Sequence, residues 1–184
     1  VAFHDVEWNA GGWYAFPADA TFISSAGSRE PLNQSNAMGR LLLLLHDATQ
    51  DAAYRSKAAL LATHFKAQVS HGSNGEALWN YSGGTYASPG EDISHAAINV
   101  DFMQLAAARG VVFTEADVRA ACRTFLGNVY VDNATFADHV GGGTTNTSKF
   151  LGQAGHWTVL TPWHGAVYAP IRELYETSYP PSSV

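Results

Sequence analysis

One arrangement recurs along this chain and constrains its fold more than any other feature: an aromatic loop that leads into a helix start. Gly12-Trp13-Tyr14 is followed by a long loop and then by Glu30-Pro31-Leu32-Asn33, where helical periodicity begins. Leu78-Trp79-Asn80-Tyr81 is followed in the same way by a loop and by Glu91-Asp92-Ile93-Ser94-His95. A fainter third copy opens at His156-Trp157 and enters a helix at Pro162. A unit made of one aromatic loop and one helical hairpin cannot bury its own apolar face, so the copies must stack on one another.

The helices follow from spacing. Between Ser35 and Val69 the positions Met38, Leu41, Leu42, Leu45 and then Ala58, Leu61, Ala62, Phe65 recur at helical intervals, broken by the polar turn Asp47 to Asp51, which predicts an αα-hairpin. A second hairpin is predicted from Ile93 to Ala108, stopped by Gly110, with a partner that opens at the N-cap Thr114 and runs to about Asn128. Thr161 and Pro162 predict a last helix, through Val167, Ile171 and Leu174, which ends at Pro180 and Pro181. Asp132 to Thr147, with three consecutive glycines, reads as a long loop followed by one short helix around Ser148 to Gln153. The expectation is therefore an all-α fold of helical hairpins in one domain spanning residues 1–184.

Composition narrows the partners. With 10 basic against 16 acidic residues the net charge is −6, leaving no basic stripe for nucleic acid or an anionic membrane, so neither is expected as a partner. The longest apolar run, Leu41 to Leu45, is far short of a membrane span. The single cysteine, Cys122, excludes an internal disulfide and reads as a small buried hydrophobe. Sequons at Asn33, Asn80, Asn133 and Asn146, with a start at Val1 that looks processed, lead to the expectation of a secreted protein.

The repeated tryptophan and tyrosine, the loop, the acidic residue and the helix start bearing Asn or His, followed by LLLLLHDATQDAAYRSKAALLATHF, resemble the hairpin units of (α/α)-toroid carbohydrate-active enzymes. That group includes polysaccharide lyases, uronyl C5-epimerases and several glycoside hydrolases, and the similarity runs from Trp13 to Tyr175 and leans toward the uronate-acting members. Toroids of this type close with more hairpins than the two full ones here, so the chain reads as an incomplete toroid, a fragment, or a protomer of a homodimer. The implied ligand is a polysaccharide or oligosaccharide, and no cofactor is implied.

The helix starts carry the chemistry-bearing residues. Asp92, His95 and Asn99 share one helix face. Either His95 is a general base oriented by a carboxylate, or Glu91 or Asp92 caps the helix and His95 is structural. The matching start offers Glu30, Asn33, Asn36 and Arg40, with Asn33 readable also as a plain N-cap. The resemblance implies Asn33 and Arg40 as binders of a uronate carboxylate, His95 as the base that removes the C5 proton, and Tyr81 or Tyr86 as the acid for the leaving oxygen. It places Trp79, Trp13, Glu91, Asp92, Glu30, Asn36 and Asn99 around the substrate. Such proton abstraction needs donors that stabilise the developing enolate. The near rival is a glycoside hydrolase with Glu30 and Glu91 or Asp92 as paired carboxylates. A non-catalytic glycan-binding module is the rival from another class. Tryptophans at matching repeat positions also serve as packing wedges between hairpins.

No H-E-x-x-H or comparable ligand set occurs, so no resident metal is expected, although His4 with Asp5 or Glu7 is a pairing a stray metal can use. No G-x-S-x-G elbow or phosphate-binding loop is present, which removes serine hydrolase and nucleotide chemistry.

Overall fold

The computed structural model describes residues 2–21, 24–145 and 148–178. The sequon at Asn146 and the prolines at 180 and 181 lie outside them. The first hairpin is α1 (Leu32–Thr49) and α2 (Ala52–Lys66). It turns because Gln50 takes the left-handed conformation (φ 60°) and returns its N–H to the His46 carbonyl, while the Asp51 carboxylate accepts from the Ala53 N–H and caps α2. The second hairpin is α3 (Ile93–Ala108) and α4 (Glu115–Thr124). Asp92 caps α3 by accepting from the Ser94 and His95 N–H groups, and Thr114 with Asp117 forms a capping box on α4. A single π-helical turn, Phe125–Val129, continues α4 to the boundary the spacing predicts.

Helix α1 packs on α2 and on α3, and α3 packs on α4 and on a 3-10 segment, Gly152–Leu160, so the hairpins stand side by side. The close approach of α1 to α3 is made by Gly39: a Cβ there would stand 2.6 Å from the Phe102 ring. As a result α1 buries Asn33, Ser35, Asn36 and Gly39 along with Leu32, Leu42 and Leu43, while Leu41 and Leu44 remain 42% and 51% exposed. The apolar stripe of α1 is thus wider than its buried stripe. No helix among the described residues is long and apolar enough to cross a membrane.

Two of the three repeat tryptophans are wedges. Trp79 and Trp157 are completely buried, Trp79 edge-on to Phe65 and Trp157 donating its indole N–H to the Ile93 carbonyl at 3.1 Å. Trp13 instead lies half-buried against His64 on α2. Burial of an indole at ~25 cal/mol per Å² over roughly 200 Å² is worth about 5 kcal/mol before ordering costs, enough to lock each loop to its hairpin.

The expectation of an all-α chain is overturned, because three small antiparallel sheets accompany the helices. Strands β1 (Trp8–Asn9) and β2 (Trp13–Tyr14) form one, and β3 (Ser70–His71) and β4 (Ala77–Leu78) another. The third contains β5 (Tyr130–Asp132), β6 (Thr135–His139) and β7 (Gly142–Thr145) and occupies most of the stretch expected as a long loop. Its first turn is closed by Asn133 and Ala134, both at positive φ, and its core is supplied by Phe136, which packs on Tyr130 and Phe125. Because β6 buries Phe136, Ala137 and Asp138 in succession, it lacks the alternation that reveals a half-buried strand. The last helix also begins later than Thr161 and Pro162 predict: residues 161–163 form a turn, His164 is extended, and the final helix, α6, runs Tyr168–Ser178 after the single-turn α5 (Ser148–Leu151).

Candidate active site

The N-terminal end of α3 carries a carboxylate–imidazole pair. Asp92 must sit outside the helix to cap it, which turns one carboxylate oxygen toward the backbone N–H groups of Ser94 and His95 and leaves the other for the His95 ring. The His95 Nδ1 lies 2.7 Å from Asp92 Oδ2. An ionised carboxylate only accepts, so Nδ1 carries the proton of this hydrogen bond, on a side chain that is 40% exposed. Burial alone would raise the Asp92 carboxyl. The hydrogen bonds from Ser94 and from the His95 backbone, with the neighbouring imidazole, overcome this and hold it below its ordinary value.

Tyr81 lies over this pair, its ring centroid 4.9 Å from that of His95. The loop that carries Tyr81 is anchored at both ends: its carbonyl accepts the Leu32 N–H at the start of α1, and Trp79 is buried behind it. Partial burial, followed by the nearby Glu91 and Asp92 carboxylates, raises the Tyr81 phenol and keeps it protonated. A carboxylate-paired imidazole and a phenol therefore meet at one surface point, built from the second repeat alone.

Directly behind the pair, buried Glu91 accepts hydrogen bonds from the Trp79 indole N–H and from Asn99 Nδ2, and Asn99 Oδ1 accepts from Asn36 Nδ2 at 2.7 Å. This chain ties the aromatic loop to α3 and α3 to α1. Burial pushes the Glu91 carboxyl up to about 8 against the two hydrogen bonds that favour its anion, and its other oxygen has no partner. Glu91, Asn36, Asn99 and Trp79 are each at most 1% exposed. Sequence reasoning set all four around substrate; the structure places them inside, supporting the loop that holds Tyr81.

The remaining residues fall in several places. Asn33 is 6% exposed inside the first turn of α1, and the N-cap there is Pro31, which makes no side-chain bond. Arg40 forms an ion pair with Asp101 of α3 at 2.6 Å. Tyr86 packs against Gly90 and Gly141. Glu30 lies beside Glu7 near the N-terminus, and burial, then the Glu7 charge, raises its carboxyl. His95, Asp92 and Tyr81 come together, with Glu91 at their back.

Sequence reasoning missed the polar floor beside the pair. Ser94, whose hydroxyl donates to Asp92, also borders a pocket of about 320 Å³ bounded by Arg40, Asp101, Gln153 and His156, with Ala97, Ile98 and Val159 as its apolar lining. The signal was present: Ser94, Ala97, Ile98 and Asp101 fall on one face of α3, and His156 precedes the tryptophan of the third repeat. A larger trough of about 670 Å³ lies along α6 and shares His156, but Tyr168, Ile171 and Tyr175 make it mainly apolar. No group of three or more His, Cys, Asp or Glu side chains among the described residues is placed to hold a metal ion.

No protein-family model and no curated protein matches the sequence. Among solved structures, a crystal structure of D-mannose isomerase superposes on 95% of this chain with a TM-score of 0.66 at 12% identity. The match covers 48% of that protein, so this chain spans about half its length. At this identity the likeness is one of fold.

Proposed function

We propose that this chain carries the site of a carbohydrate-processing enzyme in which His95 removes a proton from a sugar carbon next to a carbonyl group. The observation that carries the proposal is the Asp92–His95 pair, partly exposed and in ring contact with Tyr81. The fold likeness to D-mannose isomerase supports a sugar as the substrate class.

Two reactions begin with this step. In β-elimination from a uronic-acid polysaccharide, His95 takes the C5 proton, the electron pair forms the C4–C5 double bond, and the Tyr81 hydroxyl protonates the departing oxygen. In aldose–ketose interconversion, His95 takes the proton from C2 and delivers one to C1 through an enediol, while the Tyr81 hydroxyl protonates O1 and its phenolate takes the proton from O2 as the carbonyl moves. The lyase was the expectation from sequence, with Asn33 and Arg40 as donors to the uronate carboxylate. Asn33 is buried and Arg40 is paired with Asp101. Isomerisation needs no carboxylate binder, which favours it. The hydrolase alternative is disfavoured because Glu91 is buried and Asp92 is engaged by His95 and Ser94.

The test is to incubate the protein with uronate polysaccharides and with free aldoses, following unsaturated-uronate absorbance in the first and ketose formation in the second. Ketose formation abolished by His95→Ala establishes isomerisation, and a rise in absorbance lost in the same variant establishes elimination. Silence in both, with saccharide still bound, assigns a non-catalytic binding module. Secretion belongs to the same reading and is supported by the exposed sequon at Asn133 in the β5–β6 turn. Mass analysis of the protein from a eukaryotic secretory host would reveal a glycan there.

A further inference from the structure

The Asp92–His95 pair and Tyr81 supply reacting groups but no seat for a substrate. The pocket of about 320 Å³ beside them lies between α3 and the 3-10 segment Gly152–Leu160, bordered by Arg40 of α1. Two residues bring it against the pair. Ser94 donates to the same Asp92 that holds His95, and Ile98 stands one helical turn along α3 from both Ser94 and His95.

The polar groups around this pocket divide into two sets. Ser94 is engaged by Asp92, Arg40 and Asp101 neutralise one another at 2.6 Å, and the other Asp101 oxygen accepts from Gln104 Nε2 at 2.9 Å. Gln153 and the exposed His156 are uncommitted: among the described residues neither side chain is hydrogen-bonded to another residue. Both come from the third repeat, across the pocket from α3.

These groups select the ligand. An amide both donates and accepts, and a neutral imidazole donates at one nitrogen and accepts at the other, so the pair suits hydroxyls, which do the same. A carboxylate would meet Asp101 and would find Arg40 already taken, which excludes a uronate. Ala97, Ile98 and Val159 offer an apolar wall for the C–H face of a sugar. Size sets the length: at roughly 30 Å³ for each non-hydrogen atom, as in liquid water, a hexose needs about 360 Å³ and two linked rings about twice that.

We infer that this pocket seats the substrate as one neutral hexose, and that Gln153 and His156 are the residues that read its hydroxyls. The inference rests on the proposed sugar chemistry at His95 and narrows it: the second repeat supplies the reacting groups, and the third supplies the selectivity.

The sequence has four isoleucines, of which Ile98 lines this pocket and Ile171 lines the trough along α6. Methyl-labelled isoleucine therefore separates the two. In a His95→Gln background, which keeps the sugar unreacted, titration with D-mannose should shift the Ile98 methyl saturably and leave Ile171 in place. Glucuronate should bind at least tenfold more weakly. Gln153→Leu and His156→Phe should each weaken mannose binding about fivefold or more. At least one of 3-, 4- and 6-deoxy-D-mannose should bind about fivefold more weakly than mannose, and Gln153→Leu or His156→Phe should erase that difference, whereas a merely structural change weakens every ligand alike.

An Ile98 methyl that stays fixed at sugar concentrations that saturate wild-type turnover overturns the pocket and spares the His95 chemistry. Saturable Ile98 shifts with no turnover by the wild type leave the pocket standing and remove the chemistry. Shifts at Ile171 in place of Ile98, glucuronate bound as tightly as mannose, or deoxy-sugar differences that persist in both variants overturn the inference.

Discussion

Replacing Glu91 with Gln should alter how stability depends on pH more than it alters stability itself. The carboxyl is lifted from 4.5 to about 8 by burial between Trp79 and Asn99. Below pH 4.5 it is neutral in the folded and the unfolded chain and adds no pH dependence. Between 4.5 and about 8 it ionises in the unfolded chain only, so unfolding releases a proton and folding stability falls as pH rises; above 8 both states are ionised and the slope vanishes. At ~1.4 kcal/mol per pH unit, the full window corresponds to about 4–5 kcal/mol, to be taken as an upper bound for so buried a group. The glutamine amide keeps an acceptor for the Trp79 and Asn99 donors, so the variant should lose only about 1 kcal/mol at pH 5. By pH 8.5 it should be the more stable protein. Urea unfolding of both proteins at half-unit intervals from pH 5 to 9 measures the difference. Parallel stability curves across that range would refute the assignment of a neutral, buried Glu91.

Other substitutions probe the Asp92–His95 pair, the α1–α3 contact and Arg40. Asp92→Asn should lower turnover by about two to four orders of magnitude, since the amide no longer fixes the Nδ1–H tautomer of His95, and initial rates on the best substrate of the panel measure it. The same variant keeps a capping oxygen, so its melting temperature should change by less than about 3 °C. Gly39→Ala should destabilise by about 1–3 kcal/mol, because its methyl group would enter the Phe102 ring, and thermal unfolding reports the loss. Arg40→Met should leave isomerase turnover within about threefold if Arg40 only pairs with Asp101, whereas a lyase that uses it for carboxylate binding would lose about tenfold or more in kcat/KM.

The helical half of the fold was legible because its signals are local. Asp47 to Asp51, Asp92, Gly110 and Thr114 punctuate the chain where the hairpins turn and start, and the caps form as those residue types dictate. The strands were not legible. Their short runs gain stability from tertiary contacts such as Phe136 on Phe125, and β6 is covered on both faces, so neither length nor alternation marks it. The site divides in the same way. Asp92 and His95 are readable because the cap brings residues three apart together at a helix start. The burial of Glu91 with Asn99 and Asn36 depends on how closely Gly39 lets α1 approach α3, which no single segment of sequence records. Arg40 looked available for substrate because its partner, Asp101, sits on a different helix.

That His95 takes a proton from carbon beside a carbonyl is tested most directly by hydrogen isotope exchange with solvent. The protein is incubated in D2O with D-mannose, and deuterium at C1 of the ketose is read by NMR; in a parallel sample of uronate oligosaccharides deuterated at C5, release of that deuterium to ordinary water is followed. His95-dependent proton transfer predicts deuterium at C1 of the ketose, or loss of the C5 label into water on elimination, each dependent on active protein and absent with His95→Ala. Exchange that persists unchanged in His95→Ala, or ketose formed by the wild type with no deuterium at C1, would contradict it.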